Sequence, residues 1–203
     1  RVQQQLGCAV LVIEHDIVLM GSLCDRLYAL ESGAVLASGP TADVLDELRS
    51  FAMFGGAKLV VVACNTASAK ALRNIQQIDL PKIAPDNRVL GVIRPSTEKV
   101  GHITKSGHIG ILGTAGTVAS DSYPIEIKKF FPSVKVVQEA CPMWVPLVEN
   151  MELETPATDY FVKRHLDNIL QKDPEIDTMV LACTHYPLLM KKIRHHLPDK
   201  IAV

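Results

Sequence analysis

Short runs of β-branched and small apolar residues recur along this chain, each followed by a small or polar turn and then a stretch of helical periodicity. Residues 8–13 (CAVLVI), 58–63 (KLVVVA), 89–93 (VLGVI), 108–113 (HIGILG), 134–140 (VKVVQEA) and 177–182 (DTMVLA) read as strands. Residues 16–26, 42–54, 67–77, 95–106 and 156–172, and a last stretch from about Tyr186 to His196, read as helices. A further helix begins near Thr117 and restarts around Pro124, while 141–150 reads as a loop. Residues 27–32 and 34–38 flank Gly33 as a hairpin. Gly39-Pro40 then acts as a breaker, Thr41 caps the next helix, and Gly55-Gly56 ends it and marks a seam. Strands alternating with helices of this length predict parallel βαβ units and an α/β fold.

Composition narrows the classes of function. Of 203 residues, 48% are hydrophobic and 21% charged, which excludes a disordered chain. A net charge of −1 leaves no electrostatic footprint for nucleic acid or an anionic membrane. The longest apolar runs, such as 59–64 and 179–183, fall far short of the roughly 20 residues of a membrane-spanning helix. No basic segment followed by an apolar one opens the chain, and the start on Arg1 points to sequence upstream. The five cysteines (Cys8, Cys24, Cys64, Cys141, Cys183) form no CxxC pair, which argues against a zinc site and a disulfide framework. Reduced thiols in a cytoplasmic protein are the expectation, with no metal.

Two tetrapeptides are built alike: Ala63-Cys64-Asn65-Thr66 and Ala182-Cys183-Thr184-His185. Each follows a strand and precedes a helix, so both thiols are expected at the carboxyl ends of parallel strands, where ligands of such folds bind. A helix start favours thiolate, and Asn65, Thr66, Thr184 and His185 supply donors suited to carboxylates. Two thiols facing each other across one carbon suit two-base proton exchange, one removing an α-proton and the other returning one to the opposite face. The alternative is a pair of buried core cysteines.

From about Lys58 to Ile193 the chain resembles glutamate racemase, in the aspartate/glutamate racemase superfamily. The stretches that carry the resemblance are 58–72 (KLVVVACNTASAKAL), 91–95 (GVIRP), 109–123 (IGILGTAGTVASDSY), 141–150 (CPMWVPLVEN) and 181–189 (LACTHYPLL). It implies racemase-like sandwich domains with parallel sheets. It also implies interconversion of L- and D-glutamate for peptidoglycan synthesis, without a cofactor. Cys64 and Cys183 would be the acid/bases, with His185 and Glu149 assisting the second. Asn65, Thr66, Thr114, Thr117, Thr184 and His185 would bind the small-molecule substrate. A homodimer is left open.

Residues 11–45 resemble instead the end of an ABC-transporter ATPase domain, with His15 as its switch histidine. No GxxxxGK[ST] loop or LSGGQ-type signature is present to hold ATP. Three segments are therefore expected: 1–54 as an ATPase-like fragment, 57–91 with 181–203 as the remnant of a racemase first domain, and 92–180 as the racemase central domain. The fragment would partly replace a first domain that lacks the family's Asp-Ser-Gly and Pro-Tyr-Gly motifs and its last strand and helix, and catalysis would be impaired. His15 is a candidate substitute for the missing Asp. The competing readings are a catalytically inactive chimeric scaffold and an ATP-binding fragment.

The remaining candidates read as structural. Cys8 and Cys24 are expected in the core, Cys141 in a structural role in its loop, Trp144 in packing, and His195-His196 at a helix end. Gly110, Gly113 and Gly116 are expected to line the substrate carboxylate rather than a phosphate.

Overall fold

The computed structural model describes residues 26–31, 34–40, 59–83, 85–86 and 88–203. The strand at 8–13, the helices at 16–26 and 42–54, the Gly55-Gly56 seam, and Cys8, Cys24 and His15 lie wholly or almost wholly outside these residues. The chain divides into two compact units, 1–57 and 58–203.

In the first unit, β1 (Arg26–Glu31) pairs antiparallel with β2 (Ala34–Pro40), the hairpin expected around Gly33. Its register shifts between Ala29 and Leu30, which face Ala37 and Val35, so Leu36 is the extra residue of a bulge. β2 runs on through Gly39-Pro40, read from sequence as a breaker. At the end of a two-stranded ladder, opposite Arg26, the missing proline N–H interrupts no interior bond.

The second unit holds two parallel sheets. In one, β3 (Leu59–Val62) lies beside β4 (Arg88–Gly91). Their crossover is a helical stretch longer than 67–77: α1 (Asn65–Lys70), α2 (Leu72–Asn74), a π turn (Ile75–Asp79) and α3 (Leu80–Ile83). Pro81 lies inside it, beyond the end of the helix expected at 67–77. The π turn, closed by the Leu80 N–H on the Ile75 carbonyl, widens the helix just before the ring that would otherwise break it. α4 (Ile93–Ile103) then leads to the second sheet, starting two residues earlier than expected because Pro95 needs no N–H partner in a first turn.

The second sheet has the order β6-β5-β7, with β5 (His108–Gly113), β6 (Lys135–Ala140) and β7 (Thr178–Ala182) all parallel. Ile109, Ile111 and Leu112 of the central strand are fully buried. Ile109 and Ile111 pack with Ile93 and Val100 of α4 and Tyr123 and Ile127 of α6 (Ser122–Phe130). Leu112 joins Val162, Leu166 and Ile169 of α8 (Pro156–Lys172) and Ile193 of α9 (Met190–His196). Gly110 leaves room on that side: a Cβ there would come 2.5 Å from the Met179 sulfur and 3.0 Å from Ile169 Cδ1.

Between β5 and β6, α5 (Ala115–Ala119) stops and α6 begins, with Asp121 left-handed at φ 52°. The break thus falls three residues before Pro124, at a residue type that tolerates this conformation. The stretch read as a loop contains α7 (Trp144–Glu149), whose Trp144, Leu147 and Val148 are buried at helical spacing. Pro146 sits in its first turn, where it costs no hydrogen bond. Trp144 packs edge-on against Tyr186 at 4.8 Å and donates to the Phe161 carbonyl at 3.3 Å, the packing role expected of it. A 3-10 turn, Tyr186–Leu189, links β7 to α9. His196, at the end of α9, bonds Asp159 of α8 at 3.1 Å rather than only capping its helix.

Asp177 aligns the start of the sheet. Its carboxylate accepts from the Thr104 hydroxyl (2.5 Å), the Lys105 and Ser106 amides (2.7 Å each) and the Thr178 hydroxyl (2.9 Å). Desolvation alone would raise its pKa, but these four donors outweigh that and hold it well below the usual carboxylate range. Asp177→Asn removes charge and at least one acceptor, so a loss of about 1–3 kcal/mol in urea unfolding is expected at pH 7. A depressed native pKa stabilises fully above the unfolded value near 4 and is lost as pH falls through the native value. The wild-type advantage over the variant should therefore narrow below about pH 4.

Candidate active site

The parallel registers bring several strand ends to one edge. Gly113 of β5 pairs with Ala140 of β6 and Ala182 of β7, so Thr114, Cys141 and Cys183 leave the sheet side by side. On the other sheet, β3 ends just before Ala63 and Cys64.

Cys64 caps α1: its backbone is extended (φ −130°, ψ 127°) and its sulfur accepts the Ala67 N–H at 3.5 Å. The residue is exposed. Asn65, at the first helical position, is 8% exposed, and its Oδ1 accepts the Tyr123 hydroxyl at 2.7 Å. Thr66 reaches across to the second sheet. Its hydroxyl lies 2.8 Å from that of Thr114 and 3.2 Å from that of Thr117, which are 3.1 Å from each other. Thr114 also caps α5 by accepting the Thr117 N–H. The close approach of α1 needs Gly116, where a Cβ would meet Thr66 Cγ2 at 3.1 Å.

Cys183 is 8% exposed. Its sulfur lies 3.7 Å from His185 Nδ1, and His185 Nε2 is 3.3 Å from Glu149 Oε1. His185 thus stands between the thiol and the carboxylate. Burial pushes the Cys183 thiol pKa up and the charges of Cys64 and Glu149 add to this, while the His185 and Tyr186 amides oppose it. The two cysteines are therefore close enough to feel each other's charge. Thr184 is exposed, and its side chain bonds none of the described residues.

Tyr123 and Ser96 are the additions the sequence reading did not make. Tyr123 is 2% exposed, and burial pushes its pKa up to about 12, with the Ser96 hydroxyl bond lowering it and the Cys183 charge raising it. Its only sequence signal was its place at the end of the 109–123 block. Cys141 is fully buried, and desolvation, aided by Glu139, drives its thiol pKa far up. A groove of about 460 Å³ between α4 and β7, lined by Lys99, Val100, Leu181 and Met190 among others, includes neither Cys64 nor Cys183. Among the described residues no three His, Cys, Asp or Glu are grouped to hold a metal ion, and no helix is long and apolar enough to cross a membrane.

The arrangement offers two sulfurs in electrostatic contact, one exposed and one buried beside an imidazole, with hydroxyl and amide donors nearby. Iodoacetamide mapping at pH 8 should modify Cys64 before Cys183, and Cys141 last of these three. In Cys64→Ser the alkylation midpoint of Cys183 should move to lower pH, because a charge that raised its pKa is gone. An unmoved midpoint would deny the contact.

The Asp/Glu/Hydantoin racemase family profile matches residues 23–203. The chain is 38% identical over 156 residues to glutamate racemase of Geobacter metallireducens, covering 76% of this chain and 54% of that one. It is 39% identical over 185 residues to glutamate racemase of Listeria monocytogenes serotype 4a, covering 88% and 66%. A crystal structure of a Bacillus anthracis glutamate racemase superposes with TM-score 0.68 at 35% identity, covering 79% of this chain and 57% of that one. The chain thus spans about half to two thirds of the length of these relatives. The family match takes in residues 23–45, which the sequence reading assigned to an ATPase-like fragment, and that assignment finds no support in it. By the extent of this match, the chain belongs to the Asp/Glu/Hydantoin racemase family.

Proposed function

We propose that the chain interconverts L- and D-glutamate by proton exchange between two cysteines, without a cofactor, and so serves peptidoglycan synthesis in the cytoplasm. The observation that carries this reading is that each cysteine follows the end of a parallel strand, Cys64 capping α1 and Cys183 standing beside His185 and Glu149. One sulfur takes the α-proton while the other delivers a proton to the opposite face, and the charge on the pair is conserved. The buried Cys183 favours its neutral form and is suited to deliver, with His185 steered by Glu149 beside it. The hydroxyls of Thr66, Thr114 and Thr117, the Asn65 amide, Thr184 and His185 are the proposed substrate contacts. The relatives that support glutamate as the substrate are named glutamate racemases.

The test is deuterium wash-in at the α-carbon of either glutamate enantiomer in D2O, followed by chiral analysis. Wild type should exchange the proton and racemise the product, and EDTA should leave the rate unchanged. Cys64→Ser and Cys183→Ser should each lose about 10²- to 10⁴-fold, the range of a positioned acid/base. No exchange at all from a chain that melts cooperatively would favour the inactive scaffold.

A further inference from the structure

We infer that Tyr123 is a positioning residue for this site, fixing the Asn65 side-chain amide so that its oxygen is held and its NH2 is presented to the anionic end of an amino-acid substrate. The substrate half of this inference rests on the proposed function; the geometry does not.

Asn65 directly follows Cys64 and is nearly buried, so its amide has few orientations available. An asparagine amide carries an acceptor at one end and two donors at the other, and a rotation by half a turn swaps them. In one orientation the site meets a ligand carboxylate with N–H groups, and in the other with a repelling carbonyl oxygen. The Tyr123 hydroxyl decides between them by donating to Oδ1 at 2.7 Å. Nδ2 has no partner among the described residues, and its protons remain available.

The direction of the bond follows from the acceptor: Oδ1 of an amide carries no proton, so the phenolic proton points at Asn65. The phenol stays protonated across the working range, its pKa being pushed up to about 12 mainly by burial. Its ring is locked by packing with Ile93, Val100, Ile109 and Ile127, so the hydroxyl is delivered from a rigid wall. The helix carrying it begins at the left-handed Asp121, and that turn sets where the ring enters the core. The bond joins residues 58 positions apart and ties the helix after Cys64 to the second sheet's helical layer.

The experiment compares wild type, Tyr123→Phe, Asn65→Ala and the double variant. The first readout is the glutamate concentration that half-protects Cys64 from iodoacetamide. Tyr123→Phe should raise it about threefold to tenfold, the worth of one neutral hydrogen bond, with its melting temperature held by the retained ring. On the Asn65→Ala background the same change should add nothing, because its route is gone. An undiminished effect there, or no effect in the single variant, would overturn the inference. Asn65→Asp leaves Tyr123 an acceptor but removes the donors, so protection should be lost; wild-type protection by that variant would overturn the inference without relying on Tyr123→Phe. The second readout is the Asn65 side-chain NH2 cross-peaks in a ¹⁵N–¹H spectrum without ligand. Tyr123→Phe should shift them, and unmoved cross-peaks would overturn the positioning role even if the wild type neither binds nor exchanges glutamate. Shifted peaks beside an absence of exchange would retire the racemase reading and leave the Tyr123–Asn65 coupling standing.

Discussion

The central strand β5 pairs in register with both of its neighbours, and the geometry of the site depends on that. Parallel pairing from His108 opposite Lys135 to Gly113 opposite Ala140 and Ala182 makes three strands end level. Asp177 holds the opposite end, joining the turn before β5 to the start of β7 through four hydrogen bonds. A slip by one residue would turn Ile109 and Ile111 toward the helices that receive Leu112, and would displace Thr114 from Cys183 along the edge. Register is thus the link between an apolar core and a polar rim.

The rim draws on two sheets. Cys64 and Thr66 follow a strand of the first, whereas Thr114, Thr117 and Cys183 follow strands of the second. The three threonine hydroxyls, the Tyr123–Asn65 bond and the Ser122 hydroxyl on the Ala69 carbonyl are polar ties across that junction. Gly116 keeps the two helix starts close enough for the hydroxyls to meet. The same side chains therefore serve cohesion between the sheets and the proposed recognition of an anion.

Much of this was legible in the sequence because the strands are short, apolar and regularly spaced. Strand 108–113 and helix 156–172 coincide with β5 and α8, since neither contains a proline at an interior position. Prolines account for three differences. Pro81, Pro95 and Pro146 lie where an expected helix stopped short, started late or was missed, yet each occupies a place where no amide donor is needed or where the helix has already widened. At the site, paired motifs pointed to Cys64 and Cys183, but Tyr123 could not be found that way. Its role depends on a contact over 58 positions, which no local pattern encodes. The ATPase-like resemblance at 11–45 shows the converse hazard: a strand, a histidine and a hairpin form a common sequence of elements, and the hairpin is the part of that stretch that the structure describes.

The unequal surroundings of the two sulfurs carry a thermodynamic consequence for the proposed exchange. Mirror-image substrates have identical free energies in water, so kcat/KM must be the same in either direction, however different the catalytic groups are. The deep placement of Cys183 and the open placement of Cys64 can therefore bias only how that shared quotient is divided, with one enantiomer held more tightly and turned over more slowly than its reflection.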